Sequence, residues 1–288
     1  ISTRHPEFLG VVEEMQSDIL RLIGAVPNVG SVYYNAKHGP GTSLGSLYAD
    51  GRVTEFFKWS NLPYSCTPSC IPYAKEAILS DPRWIGALDD WYRREENIPL
   101  GAPISLDRFW SKIINVVDYS KITTVPKSAE IDRTIAIEPL LNLFLQLGVE
   151  SVLRRRLRAR WNYDLDDQEP NQVLAQEAAL SNSFATVDLS GASDTISLKI
   201  CEILLPPAWY ALLLDLRAPN GRCEGTDAPY EKISSMGNGF TFALESLIFG
   251  ALVRCAIRRT GSVRKSAVFG DDLIVPSTAY KYLVTLLN

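Results

Sequence analysis

Three aspartates and one glycine-rich turn hold the chemistry legible in this chain. Asp271 and Asp272 stand in Ala267-Val-Phe-Gly-Asp-Asp-Leu-Ile-Val275, where the apolar runs on both sides of the acids read as two strands buried on both faces. Carboxylates at a turn between buried strands repel each other, and their burial is costly unless a cation lies between them. Gly270 suits such a turn, because it tolerates positive φ and lets a substrate approach the backbone. The other adjacent pairs, Asp89-Asp90 and Asp166-Asp167, fall in a helix-like stretch and a polar run, and read as solvated faces.

A hard divalent cation takes oxygen ligands from more than one segment, and two-metal phosphoryl transfer needs acids on opposite sides of the reacting phosphate. Asp188, closing the strand Phe184-Ala-Thr-Val-Asp188, is the third candidate ligand, with a turn or helix-capping aspartate as the plainer alternative. Asp194, in the first turn of the next helix, is open between complementing the helix dipole and touching a substrate ribose. Ser234-Ser-Met-Gly-Asn-Gly-Phe-Thr241 opens a helix over 241–259. Gly237 and Gly239 permit close backbone approach, Asn238 offers donor and acceptor, and a helix N-terminus favours phosphate; a hinge or cap is the ordinary reading of such a loop. Glu245, amid Phe242, Leu244, Leu247 and Ile248, is a buried carboxylate for which a specific partner is expected.

The elements that must position these groups follow from periodicity. Phe8, Val11, Val12, Met15, Ile19 and Leu22 predict an amphipathic helix over 7–23. Residues 28–70 read as a long irregular loop, and 73–118 as mainly helical with Trp84, Trp91 and Trp110 partly buried. Residues 121–139 read as two short strands around a polar turn. Pro139 then begins a helix with Leu141, Phe144, Leu145, Gly148 and Val152 on one face. That helix ends in Arg154, Arg155, Arg156, Arg158 and Arg160, which either complement its C-terminus or face phosphates. A helix over 192–205, a connection over 206–232 and a hairpin over 266–276 complete an α+β class with a mostly antiparallel sheet.

With 46% hydrophobic and 22% charged residues, disorder and small disulfide scaffolds are excluded. A net charge of −4 argues against a uniformly basic polyanion binder, though not against a local basic channel. Cys66 and Cys70 read as ordinary loop thiols rather than zinc ligands, and the odd count of 5 cysteines suggests reduced thiols. No apolar run reaches the roughly 20 residues of a membrane span, so a soluble chain is expected.

The order Val125-Pro-Lys127 to Arg133-Thr-Ile-Ala-Ile-Glu-Pro139, then Thr186-Val-Asp-Leu-Ser-Gly-Ala-Ser-Asp194, then Ser234 to Thr241, then Phe269-Gly-Asp-Asp272 resembles the catalytic subunit of the RNA-bacteriophage, levivirus-type replicases, which are RNA-directed RNA polymerases. The resemblance runs from about residue 120 to 276 and implies a right-handed polymerase, with mainly helical fingers over 1–183 and a palm over 184–288. It implies that Asp188 and Asp271 chelate two Mg2+ ions, or Mn2+ in their place, with Asp272 assisting. It further implies that Lys127 and Arg133 steer the triphosphate and that Ser235, Gly237 and Asn238 touch nucleotide and template. Arg154, Arg155 and Arg158 are candidate RNA contacts, and Asp194 is a candidate nucleotide contact. The implied partners are template and product RNA, ribonucleoside triphosphates, host elongation factors Tu and Ts and a small-subunit ribosomal protein, in the cytoplasm of an infected bacterium. The chain departs from the common viral pattern at Glu245, where asparagine is frequent, and at Phe269, where tyrosine is usual. It begins at Ile1 and has 16 residues after Asp272, which reads as a fragment lacking a thumb. An RNA-binding fragment without turnover and a reverse-transcriptase-like polymerase are the alternatives.

Overall fold

A computed structural model of the chain describes residues 6–45, 55–127 and 131–287. Helix α1 (Pro6–Ile23) forms where the spacing predicts it, and Val11, Met15, Ile19 and Leu22 bury its apolar stripe. The stretch 28–70 is not one loop. It holds α2 (Val29–Asn35), α3 (Glu55–Ser60) and β1 (Tyr64–Cys66), while 46–54 lie outside the described residues. These elements are too short for their periodicity to register, and a tertiary partner decides them. Gly148 lets α2 cross close to the next long helix, because a Cβ there would run into the Val32 carbonyl.

Helices α4 (Ile71–Leu79), α5 (Pro82–Glu95) and α6 (Leu106–Ile113) fill the expected helical region. Asp81 caps α5 by accepting hydrogen bonds from the Arg83 and Trp84 N–H groups at 2.9 and 3.3 Å. Strand β2 (Ile114–Val116) then pairs in parallel with β1. Cys66 and Cys70 are buried core residues rather than loop thiols, and all five cysteines are unpaired.

β3 (Tyr119–Pro126) and β4 (Asp132–Ile137) form the expected antiparallel pair, with 128–130 of their turn outside the described residues. Pro139 proves to be the N-cap of α7 (Leu140–Trp161), not its first helical residue. α8 (Glu169–Ser181) follows, then β5 (Phe184–Asp188). In place of one helix over 192–205, α9 (Ala192–Thr195) and α10 (Leu198–Leu204) are separated at Ile196-Ser197, where Ser197 caps α10.

The segment 206–232 is also more than a connection. It contains α11 (Pro207–Leu216), which Pro207 starts without losing a hydrogen bond, and the hairpin β6 (Asn220–Cys223) and β7 (Thr226–Pro229). Glu224 and Gly225 both take positive φ, 49° and 84°, as a two-residue hairpin turn requires. β6 adds in parallel to β3, giving a sheet of order β4-β3-β6-β7.

Helix α12 (Thr241–Arg259), strands β8 (Ala267–Phe269) and β9 (Asp272–Pro276), and α13 (Ser277–Leu287) close the described chain. β5, β9 and β8 make an antiparallel three-stranded sheet in that order. Val268, Leu273 and Val275 face the main core, whereas Phe184, Ala267 and Ile274 pack on Leu174, Ala175 and Ala178 of α8. Both faces are therefore covered, as the unbroken apolar runs predict. The mixed α+β class is borne out, and one main core of buried residues draws on elements from α1 to α13.

Candidate active site

The centre of the site is a strand register. Asp188 on β5 lies directly opposite Asp272 on β9, and Asp272 in turn faces Phe269 on β8. Gly270 and Asp271 form the turn between β8 and β9, so three carboxylates from two segments gather at one edge of the sheet. The turn leaves no choice of residue at 270: its φ is +63°, and a Cβ would strike the Phe242 ring. The Gly270 N–H donates to Ser246 Oγ at 2.9 Å, which fixes the hairpin to α12.

A cleft of about 720 Å3 opens beside this edge. Its lining includes Asp188, the 189–193 turn and Asp271, the cations Lys127 and Arg133 with Ile135, and, from the loop and first turns of α12 that form its floor, Met236 to Gly239, Thr241, Phe242 and Glu245. Lys127 and Arg133, at the ends of β3 and β4, are exposed, so their cations are available to an anion in the cleft. Gly237 has φ +101°, and its Cα sits so close to the Ala136 carbonyl that a side chain would not fit. The Ala136 N–H donates to Met236 O at 2.7 Å, tying this loop to β4.

Electrostatics single out two acids. Burial first, and then the charges of Asp271 and Asp188, hold the Asp272 carboxyl above its ordinary range. Glu245 is 6% exposed, and burial followed by Asp271, Asp194 and Glu150 pushes its carboxyl up to about 8. The expected partner for Glu245 is not found: among the described residues it makes no hydrogen bond or ion pair, and its charged neighbours are acids. Like charges collected without a counter-charge fit a site whose cation comes from outside.

The donor set suits a hard ion, being all carboxylate oxygen. Among the described residues no three His, Cys, Asp or Glu side chains, Asp188, Asp271 and Asp272 included, stand placed to hold a metal ion together. Mg2+ does not need three, because it is held by one or two carboxylates, its own waters and substrate phosphates.

Other expected site residues lie differently. Asp194 does not line the cleft; it pairs with Lys232. Ser235 is buried, and its carbonyl accepts from Asn238 N–H and Thr241 Oγ1, both at 3.0 Å, so it shapes the loop from beneath. Asn238 lines the cleft while its Oδ1 accepts from the Phe240 N–H at 3.0 Å. Arg154 is engaged by Glu150 at 2.7 Å and Asp166 at 3.0 Å, and Arg158 by Asp164 at 3.1 Å. Arg155 is exposed and in no ion pair among the described residues.

A further group of polar residues supports the floor of the cleft. Asn142, Gln146, Glu150 and Arg154 recur every four residues along α7, opposite its apolar face. Apolar spacing alone does not find them, but a polar stripe at helical period in a buried helix is a readable signal.

A family model described as "RNA replicase, beta-chain" matches residues 8–288. The RNA-directed RNA polymerase subunit beta of Escherichia virus Qbeta is 42% identical over 264 residues, covering 91% of this chain and 40% of that protein. The corresponding subunit of Qbeta virus strain MX1 is 44% identical over 234 residues, 81% of this chain and 35% of its own length. That of Enterobacteria phage SP reaches 54% identity over 163 residues, 56% of this chain and 28% of its own. The chain thus spans two fifths or less of the length of these relatives.

Proposed function

The chain belongs to the RNA replicase beta-chain family, and from that premise we propose that it is the fingers and most of the palm of an RNA-directed RNA polymerase, joining ribonucleotides on an RNA template with release of pyrophosphate. The observation that carries the reading is the Asp188 to Asp272 register beside the Asp271 turn, with Asp188 and Asp271 lining the same cleft as Lys127 and Arg133. On this reading residues 1–183 are the fingers and 184–288 the palm.

Asp188 and Asp271 would hold two Mg2+ ions, or Mn2+, with Asp272 assisting. Such ions lower the pKa of the primer 3′-hydroxyl and stabilise the charge that develops on the α-phosphate and the leaving pyrophosphate. The protein supplies the rest. Lys127 and Arg133 bind the triphosphate oxygens, an ammonium as a point charge and a guanidinium as a fork. Gly237 and Gly239 let the loop pack closely on β4 and α7, and that placement sets Asn238 in the lining of the cleft, toward nucleotide and template.

The Lys232 pair keeps Asp194 beside the cleft rather than in it, which favours a structural part for this residue over a direct ribose contact. Host elongation factors Tu and Ts, a small-subunit ribosomal protein and the cytoplasm of an infected bacterium are proposed on the family resemblance. Among the described residues no helix is long and apolar enough to cross a membrane.

The test is primed incorporation of labelled ribonucleotide in Mg2+, comparing the wild type with Asp271→Asn. A loss of about a hundredfold or more is expected from removing a metal ligand. Equal rates overturn the reading. RNA binding with a steep salt dependence and no turnover would mark an RNA-binding piece, and a strong preference for deoxynucleotides would mark a reverse-transcriptase-like enzyme.

A further inference from the structure

We infer that Gln146 and Glu150 of α7 are the positioning residues of the cleft floor: from a neighbouring helix they accept backbone N–H groups of the loop before α12 and of its first turn, and so set where the 235–245 segment stands against a bound nucleotide. The inference rests on the polymerase reading for its ligand, and on side-chain geometry for the grip itself.

Helix N-termini leave backbone N–H groups that need acceptors, usually from the residue at the cap. Phe240 holds the cap position of α12 and has no acceptor to offer. Asn238 takes the Phe240 N–H through Oδ1, and further acceptors come from α7. Gln146, which is fully buried, accepts from the Gly239 N–H through Oε1 at 2.9 Å. One turn on, Glu150 accepts from the Ala243 N–H through Oε2 at 3.2 Å. Both pairs of residues are separated by four positions, so the two bonds run as successive rungs between the helices.

Each rung is itself held. Gln146 Nε2 donates to Leu216 O at 2.8 Å and to Glu138 Oε2 at 3.1 Å, leaving its amide one orientation. Arg154 Nε donates to the second oxygen of Glu150 at 2.7 Å. Arg154, one of the candidate RNA contacts, is thus the outer member of this support. Gly239 lies directly on α7, where a Cβ would come within 2.9 Å of Gln146 Cβ and 3.0 Å of Leu147 N. Opposite, the 2.7 Å bond from Ala136 N–H to Met236 O pins the other end of the loop. The segment is therefore clamped between β4 and α7, with its remaining face turned to the cleft.

A grip on Gly239 and Ala243 acts on their neighbours that line the cleft, Asn238, Phe242 and Glu245. Loss of a rung frees a register that nucleotide binding would then have to order.

The experiment uses the whole chain with Gln146→Met, Glu150→Met and the conservative Glu150→Gln, which keeps an acceptor for Ala243. Two readouts are taken: backbone amide exchange over 235–245, and titration with a fluorescent ribonucleoside triphosphate in Mg2+. Each methionine variant should exchange about tenfold faster in that segment and bind nucleotide about tenfold more weakly, the scale of the one bond to the segment that each removes along with the bonds that held it. Glu150→Gln should restore both readouts to within about twofold of wild type. Should a methionine variant fail to fold, Glu150→Asp shortens the reach by one methylene and gives the same readouts. Unchanged exchange in the variants overturns the grip; faster exchange with unchanged nucleotide affinity overturns the positioning role. Absence of nucleotide binding by the wild type defeats the polymerase reading instead, and the exchange data still decide the grip.

Discussion

Asp188 and Asp272 face each other as a directly paired couple on adjacent antiparallel strands. Opposed like charges at such a position work against the sheet that brings them together. The sheet tolerates them because Leu273, Val275 and Val268 beside them are buried in the core.

Asp188→Asn should therefore stabilise the metal-free chain by about 0.5 kcal/mol, the usual scale of a cross-strand charge pair. It should also diminish any stabilisation that Mg2+ confers. Thermal unfolding with and without Mg2+ checks both; a destabilised variant with an undiminished Mg2+ effect contradicts the arrangement.

Glu245 and Glu138 give the metal-free chain a pH dependence. Burial raises them to about 8 and about 7, from an ordinary 4.5. Between those limits the folded chain keeps protons that the unfolded chain has released. Stability is then greatest, as far as these groups go, below pH 4.5, falls as pH rises through 7 and 8, and levels off above. Glu245→Gln should remove the upper part of the fall, gaining on the order of 2 kcal/mol near pH 8. Urea denaturation across that range measures it, and an unaltered slope in the variant rules out Glu245 as the source.

Gly270→Ala combines positive φ with a collision against Phe242. A loss of about 2 kcal/mol or more is expected from strain and overpacking together. Phe242→Leu in the same chain should recover part of it, so that the double variant is less than additive. Denaturation of the four proteins in the cycle provides the comparison, and strict additivity would show that the ring is not what the new Cβ meets.

Lys127→Ala and Arg133→Ala should leave stability within about 0.5 kcal/mol, since both side chains are exposed. Each should weaken triphosphate binding by about tenfold and leave nucleoside binding alone. Titrations with nucleoside, monophosphate and triphosphate separate these outcomes; an equal effect on all three removes the phosphate assignment.

Much of the fold was legible where one period dominates a long run. The stripe of α1, the apolar strands around Asp271 and Asp272, and the hairpin at 121–137 all rest on a pattern complete within the segment itself. What escaped the reading was short or decided at a distance. α2 exists because it packs across α7 at Gly148, and β6 because its edge meets β3, a partner about a hundred residues away in the chain. A run of four residues such as Asn220–Cys223 carries no alternation strong enough to announce a strand.

By itself the sequence determined the chemical inventory of the site: Asp188, Asp271 and Asp272 on strand ends, a glycine-bearing loop before a helix, and two cations on a hairpin. Local patterning suffices for that, because each residue's type and the period around it place it on an element. Only the tertiary structure decided which of these groups meet. It set Asp188 opposite Asp272, turned Asp194 to Lys232, and left Glu245 without a counter-charge. Such pairings depend on register and on helix contacts between residues tens of positions apart, and no local period encodes them.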